Sequence, residues 1–291
     1  MWLSSKGRGS FPWITSRKLR DPKNLQAKQH FHLFLGLGSK TEWATEMRRG
    51  ISCLQQWFGA SGGVSECLTD KELEKLNFDE IFAQGMETVD RAFEQNDGHP
   101  ITVGGYSAGA ALALGAMVRR PEKVQGCVLF SPALRLRPWP RIGLNLVWAL
   151  KWFPFILPQF GLLNQIPLSW FKGASKNPAE DEVAQKISLV EAEVAVHRAI
   201  DCALGAIDEL RRHPKPLLTV HDADDPVVSP WASINVQRDF NKVPLVTTII
   251  TEGTGHDLLP DESHTLGVFS RIGQWLEDPA VGINWHRAPT G

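Results

Sequence analysis

A serine flanked by glycines is the residue of this chain best placed to do covalent chemistry. Ser107 lies in a Gly-Tyr-Ser-Ala-Gly sequence at residues 105–109, between an apolar run at residues 101–103 and an Ala- and Leu-rich segment that begins at Ala108. A cramped strand-to-helix turn requires such glycines, because a β-carbon there would collide with the adjoining backbone. The turn would expose the Ser107 hydroxyl beside the free N–H groups of a helix N-terminus. A glycine-rich turn with a capping serine is the simpler interpretation, but the flanking strand and helix favour a nucleophile.

A serine hydroxyl is a weak nucleophile at neutral pH, so it needs a base that a carboxylate holds in one tautomer. The best-placed base is His256, in the glycine-rich sequence Glu-Gly-Thr-Gly-His-Asp at residues 252–257, directly after a predicted strand. The other histidines that we considered precede the serine, enter a strand or lie in or beside an inserted helix. We expect surface or packing roles for these: His30, His32, His99, His197 and His213.

Three aspartates follow another predicted strand and are candidates for the carboxylate. Asp225 is our choice, because three residues separate it from the strand end and the Pro-Val-Val turn after it would hold it rigidly. Asp222 lies close to the strand. Asp224 remains the competitor, although extra carboxylates in loops are more often solvated or turn-forming.

The elements around these residues predict an α/β fold with a mostly parallel sheet covered by helices. Apolar runs that are typical of buried strands lie at residues 31–35, 101–103, 127–131, 217–221 and 244–251. Between them, a 3.6-residue period predicts helices, the first beginning at a Ser-x-x-Glu capping box at residues 39–42. The other three helices are predicted near residues 78–93, 108–120 and 266–275.

Residues 132–213 interrupt this alternation and predict an inserted helical cap. The apolar stretch at 142–163 is nearly long enough to span a membrane, but Lys151, Pro154 and Pro158 argue against a spanning helix. The second half is helical by pattern, with predicted packing positions at Ile187, Val190, Val194, His197 and Ile200. The first half is rich in aromatic side chains: Trp139, Trp148, Trp152, Phe153, Phe155, Phe160, Trp170 and Phe171.

This organisation divides the chain into a core, a cap and two terminal segments. We expect the core at 30–131 and 214–278, the cap at 132–213 and a tail at 279–291. Residues 1–29 form a basic extension with no acidic residue before Asp21 and without the apolar run of a secretory signal. An organellar transit peptide has a similar composition, but a loosely ordered extension is the simpler interpretation.

Composition excludes several classes of function. The chain holds 31 basic and 32 acidic residues, a net charge of −1, so a nucleic-acid partner is not expected. Its four cysteines are scattered, without metal-ligand spacing, which is typical of reduced thiols in a cytoplasmic enzyme. We expect neither a metal nor an organic cofactor, and the sequence leaves the oligomeric state open.

These motifs resemble the α/β-hydrolase superfamily over about residues 30–278, including its chain order of Ser, Asp and His. Within it, the chain is most similar to the carboxylesterase and monoacylglycerol lipase branch, which is lysophospholipase-like. The motifs that carry this resemblance are Gly-Tyr-Ser-Ala-Gly at 105–109, Ser-Pro-Ala-Leu-Arg-Leu at 131–136, Asp-Pro-Val-Val-Ser-Pro at 225–230 and Gly-Thr-Gly-His-Asp at 253–257.

The resemblance implies further site residues. Backbone N–H groups of Leu37 and Ala108 would form the oxyanion hole, and Gly36 and Tyr106 would contact the substrate. The chain departs from the family at residues 35–38, Leu-Gly-Leu-Gly, where relatives usually carry His-Gly. It also has Gly-Ala-Ser-Gly-Gly-Val at 59–64, with a short strand predicted near 66–68, where relatives have an Asp-Arg-Gly-His-Gly type of loop.

A serine nucleophile argues against two groups of the superfamily, the haloalkane dehalogenases and the epoxide hydrolases. The resemblance implies that these enzymes carry an aspartate at the position of Ser107. We therefore expect cleavage of a small-molecule ester or lipid with a medium or longer apolar acyl chain. Trp148 and Trp152 of the cap would line the acyl channel, and the cap would allow peripheral contact with lipid. Its aromatic residues could instead pack on the core or a partner subunit. Alternatives with the same triad are a thioesterase, a perhydrolase and a carbon–carbon bond hydrolase; a non-catalytic binding protein of this fold is another.

Overall fold

Six parallel strands form the centre of the computed structural model, which describes residues 29–36, 41–66, 77–137, 189–239 and 246–277. In this described part the strand order is β2-β1-β3-β4-β5-β6. The predicted parallel sheet of an α/β fold is confirmed. The strands are β1 His30–Phe34, β2 Ser61–Val64, β3 Ile101–Tyr106, β4 Val124–Phe130, β5 Leu217–Asp222 and β6 Val246–Thr251.

Helices cover both faces of the sheet, which explains why its strands are continuous apolar runs. The buried side chains of α1 and α6 pack on one face, and those of α2, α3 and α4 pack on the other. The helices are α1 Thr41–Phe58, α2 Phe78–Gln95, α3 Gly109–Arg119, α4 Leu189–Leu210, α5 Pro230–Asp239 and α6 Glu262–Glu277.

The edge strand β2 lies earlier in the chain than we predicted. It occupies Ser61–Val64, inside the stretch predicted as a loop, and Glu66 is not in a strand; residues 67–68 lie outside the described residues. Sequence propensity disfavours a strand at Gly62 and Gly63. Pairing with β1 nevertheless forms a strand here. A β-carbon on Gly62 would collide with the carbonyl oxygen of Phe31. Close approach of the two backbones is therefore the reason for glycine here.

Helix α4 packs on the core largely through alanines, and of the predicted packing positions whose side chains the structure describes, none is fully buried. Val194 is 41% exposed, and His197 and Ile200 are only partly buried. Ile187 and the side chain of Val190 lie outside the described residues. Small side chains let α4 approach the Ala- and Gly-rich face of α3 closely, so the packing face is this stripe: Ala195, Ala199, Ala203 and Ala206. Since α4 flanks the sheet, we propose that the cap ends before Leu189.

Residues 138–188 of the predicted cap lie outside the described residues, and these include the apolar stretch at 142–163. The same holds for residues 1–28 and 278–291. Among the helices of the described residues, none has an apolar run of the length that a membrane-spanning helix requires. Cys53, Cys127 and Cys202 are free thiols.

Candidate active site

Ser107 occupies a strained turn between β3 and α3. Its φ of 51° is in the left-handed region, which residues other than glycine seldom adopt. A β-carbon on Gly105 would lie 2.6 Å from Ala110 Cα, and one on Gly109 would lie 2.5 Å from the Leu35 carbonyl oxygen. The Ser107 N–H donates to the Phe130 carbonyl at 2.9 Å, which anchors the turn to β4. The closely packed backbone around this turn therefore fixes the position of the Ser107 hydroxyl.

His256 reaches this serine from the loop after β6. Its Nε2 lies 3.2 Å from Ser107 Oγ, and its Nδ1 lies 2.8 Å from Asp225 Oδ2. An ionised carboxylate can only accept hydrogen bonds, so Nδ1 carries the proton and Nε2 is free to accept from the Ser107 hydroxyl. Gly255, with φ of +71°, provides the backbone turn that precedes the imidazole.

Asp222 holds the loop that carries His256. Its Oδ2 accepts from the Thr254 N–H at 3.0 Å, from Thr254 Oγ1 at 2.8 Å and from Thr251 Oγ1 at 3.1 Å. The carbonyl of His256 in turn accepts from Ser131 Oγ at 3.2 Å. The aspartate closest to the strand thus ties the end of β5 to the histidine loop.

Asp225 is fully buried, whereas Asp224 is exposed. Asp225 Oδ1 accepts from the N–H groups of Val227 at 2.8 Å and Val228 at 2.9 Å, within the Pro-Val-Val turn. Arg137 fastens this loop from outside, since its Nε donates to the Asp225 carbonyl at 2.9 Å. Of the three aspartates, the structure brings only Asp225 into contact with His256.

The charge state of Asp225 follows from these contacts. Burial alone would raise its pKa, but the two imidazoles of His221 and His256 and the hydrogen bond from the Val228 N–H outweigh burial and hold the pKa well below its usual range. The carboxylate therefore stays ionised beside His256. Burial raises the pKa of the neighbouring Asp257, against an opposing hydrogen bond from the Leu259 N–H.

Of the two predicted oxyanion-hole donors, the structure describes one. Ala108 is the N-cap of α3, so its N–H lies at a helix end where backbone donors lack intrahelical partners. Gly36 is buried directly after β1, and the Leu35 N–H before it donates to Ser65 Oγ at 3.0 Å. Leu37 lies outside the described residues, as do Trp148 and Trp152.

Tyr106, which the resemblance predicts to contact the substrate, lies with its ring centroid 5.3 Å from that of His256. It is buried on the face of the sheet covered by α1 and α6, where its ring stacks on Trp43 with centroids 3.8 Å apart. Side chains alternate along β3, which turns Tyr106 to this face. Its hydroxyl donates a long 3.4 Å hydrogen bond to the His256 carbonyl. The described contacts of Tyr106 thus support the histidine loop.

Two side chains near the site were not among our candidates. His221 contacts Asp225, and Arg137 fastens the loop. The signal for His221 is its place in a buried strand, Leu-Leu-Thr-Val-His-Asp, since a buried imidazole requires polar partners. Arg137 directly follows the Ser-Pro-Ala-Leu-Arg-Leu motif, which pairs with the acid loop through the Leu136–Val228 bridge.

A parallel sheet with this order and a serine on a positive-φ turn after a central strand define the α/β-hydrolase class. The family model described as serine aminopeptidase, S33, matches residues 63–263, and the chain belongs to this family of α/β hydrolases. A search of curated protein sequences found no match.

Solved structures share the fold at low sequence identity. A metagenome-derived lipolytic enzyme aligns with a TM-score of 0.60 and 16% identity, covering 86% of this chain and 94% of its own. Monoglyceride lipase from Saccharomyces cerevisiae gives 0.56 and 16%, covering 89% of each chain. Monoacylglycerol lipase from Paleococcus ferrophilus gives 0.53 and 21%, covering 86% and 94%. A haloalkane dehalogenase from Bradyrhizobium elkanii also shares the fold, so the fold does not define the reaction.

Proposed function

We propose that this chain is a serine hydrolase that cleaves carboxylic esters, with Ser107 as nucleophile, His256 as general base and Asp225 as the orienting carboxylate. The observation that carries the proposal is the continuous contact from Ser107 Oγ through His256 to buried Asp225, at 3.2 Å and 2.8 Å. The positive-φ turn at Ser107 supports it, because such strain is costly and persists where the surroundings impose it.

The proposed cycle has two halves. Ser107 Oγ attacks the ester carbonyl while His256 Nε2 takes its proton, and the oxyanion is stabilised by the N–H of Ala108 and, by resemblance, of Leu37. His256 then gives that proton to the departing alcohol, which leaves an acyl group on Ser107. Water attacks the acyl group with His256 again as base, and the acid product is released. The ionised Asp225 stabilises the imidazolium that forms in each half.

We propose a medium or longer apolar acyl chain as the substrate group. The aromatic composition of residues 139–171 supports this, because burial of each methylene contributes about 0.8 kcal/mol and only an apolar wall provides it. The fold likeness to two monoacylglycerol-type lipases agrees with this substrate class. Peptide bonds are the second candidate, which the description of the family model favours.

A substrate panel tests the reaction and the acyl preference together. Purified protein is assayed on p-nitrophenyl esters from acetate to palmitate, on a thioester and on aminoacyl p-nitroanilides. We expect ester turnover that Ser107→Ala abolishes. Turnover of the anilides with inert esters would replace the proposal by peptide cleavage, and ester turnover that survives in Ser107→Ala would end the triad assignment.

Two cap variants test the acyl channel on the same panel. Trp148→Ala and Trp152→Ala should lower kcat/KM for long esters by roughly tenfold to a hundredfold, the effect of losing contact with a few methylenes. Acetate and butyrate esters should be spared, since short chains do not reach that wall. A uniform drop across chain lengths would mean that the tryptophans support the fold, and no change would place them away from the substrate.

A further inference from the structure

A second imidazole lies against the carboxylate of Asp225. His221, near the end of β5, is fully buried. Its Nδ1 lies 2.9 Å from Ser233 Oγ on α5, and its Nε2 lies 3.2 Å from Asp225 Oδ2. This is the same oxygen that His256 Nδ1 contacts at 2.8 Å. Asp225 Oδ2 is therefore placed between two imidazole rings.

We infer that His221 is a positioning residue for the reaction, which presents its Nε2–H to Asp225 Oδ2 and shares that oxygen with His256. The inference rests on the proposed function, in which Asp225 orients His256.

The protonation pattern follows from the chemistry of the three groups. A bare Nε2 would set a lone pair against an ionised carboxylate in a fully buried place, so Nε2 carries a hydrogen. A serine hydroxyl can donate, and Ser233 provides the donor for Nδ1. Nε2 has no hydrogen-bond partner among the described residues, although Asp225 Oδ2 lies 3.2 Å away. The contact at 3.2 Å is thus chiefly an attraction between the N–H dipole and the carboxylate charge.

The need for a second donor arises from how the two oxygens of Asp225 are held. Backbone N–H groups of Val227 and Val228 fix Oδ1. The polar partners of Oδ2 among the described residues are two imidazoles, and the charge of the His256 ring changes during the cycle as its Nε2 takes and gives a proton. His221 has no such task and can hold Oδ2 throughout the cycle. Burial raises the pKa of Asp225, and the two imidazoles act against burial to keep it ionised.

Sharing the oxygen also tunes His256. If the His221 donor is lost, the charge of Oδ2 faces His256 alone, which favours the imidazolium and moves the acidic limb of the rate to higher pH. A substitution at His221 leaves the other charged groups around His256 and Asp225 in place. These groups are Arg137, which binds the Asp225 loop, Asp222 on β5, the exposed Asp224, and Asp257 beside His256.

The experiment compares two substitutions of the buried histidine. His221→Leu removes the donor at similar volume, whereas His221→Gln retains an N–H donor near the position of Nε2. The readout is the rate constant for labelling of Ser107 by a fluorophosphonate between pH 5 and 9. His213→Leu, at a histidine whose side chain is 80% exposed, is the matched control.

We expect His221→Leu to lower the plateau rate about tenfold or more, because the buried carboxylate of Asp225 would lose one of the two N–H dipoles that face Oδ2. Its acidic limb should move up by about half a pH unit or more. His221→Gln should keep the wild-type limb and most of the rate, and His213→Leu should match wild type. A folded Leu variant with the wild-type rate and limb would overturn the inference, and so would equal losses in Leu and Gln, because only the ring shape would then matter.

A measurement on the unaltered protein covers the case in which His221→Leu does not fold. Nitrogen NMR of histidine-labelled wild type should show a protonated Nε2 on His221, and a bare Nε2 would overturn the inference. The proposed function fails separately, since in that case the fluorophosphonate would not label wild-type Ser107 at all.

Discussion

Three aspartates lie within four residues at the end of β5, and their environments separate their roles. Asp222 is buried and binds Thr251 and Thr254, while Asp224 is exposed and uses its backbone N–H to contact Asp222 Oδ1 at 2.8 Å. Only Asp225 faces an imidazole that also reaches Ser107. A carboxylate that orients a base must be buried and ionised, and Asp225 has both properties.

Neutral replacements of the two neighbouring aspartates test this distinction. Asp225→Asn should lower kcat by about 10⁴, because an amide can donate to His256 and select the wrong tautomer, as in serine proteases. Asp224→Asn, at an exposed position, should stay within a few-fold of wild type. Steady-state ester kinetics check both variants, and a damaging Asp224→Asn beside an active Asp225→Asn would reverse the assignment.

Close packing between the backbones of β1 and α3 fixes the position of the Ser107 turn. The end of β1 lies against the first turn of α3, since a β-carbon on Gly109 would lie 2.5 Å from the Leu35 and 2.7 Å from the Phe34 carbonyl oxygen. Backbone cannot yield as a flexible side chain does. Gly109 therefore allows the serine turn to lie directly against the end of β1, which leads to Leu37, the other expected oxyanion donor.

Alanine substitutions at two glycines separate packing from propensity. Gly109→Ala should lower the free energy of unfolding by about 1–3 kcal/mol through overpacking, and should reduce activity because the turn must move. Gly205→Ala, at an exposed position of α4 where an added β-carbon would meet open space, should instead raise the free energy of unfolding by up to about 1 kcal/mol. Urea denaturation measures both, and a neutral Gly109→Ala would contradict the close packing described here.

The elements that could be predicted are those whose signal is local. The run Leu-Leu-Thr-Val in β5 predicts a buried strand by itself, and a serine between spaced glycines predicts the turn before α3. Strand β2 could not be predicted, because the two glycines of Ser-Gly-Gly-Val disfavour a strand and pairing with β1 decides its structure. The alanine face of α4 was hidden by larger neighbours such as Val194. Likewise, the contact of His221 with Asp225 depends on the fold of one turn.

A buried histidine on β1 links the stability of the folded protein to pH. His32 on β1 is buried, and its Nε2 has no hydrogen-bond partner among the described residues. Burial, and then the charges of His30 and Arg91, lower its pKa to about 4. In the unfolded chain this histidine takes up its proton near pH 6.5.

Stability should therefore fall as the pH drops from about 6.5 to about 4, since the unfolded chain binds a proton that the folded chain excludes. The loss from His32 amounts to about 3 kcal/mol at the acidic end. His32→Phe should flatten this slope in urea denaturation at several pH values, whereas exposed His99→Gln should not. Burial also lowers the pKa of His30, so a smaller slope of the same sign should remain. An unchanged slope in His32→Phe would contradict the account.

Covalent labelling tests, without knowledge of the substrate, whether Ser107 is a nucleophile activated by His256. A fluorophosphonate probe should label the wild-type protein at Ser107, as mass spectrometry of the modified peptide would show. Ser107→Ala should not be labelled, and His256→Ala should react orders of magnitude more slowly while its fold is retained. Folded wild-type protein that the probe does not label, or equal labelling of Ser107→Ala, would contradict the account.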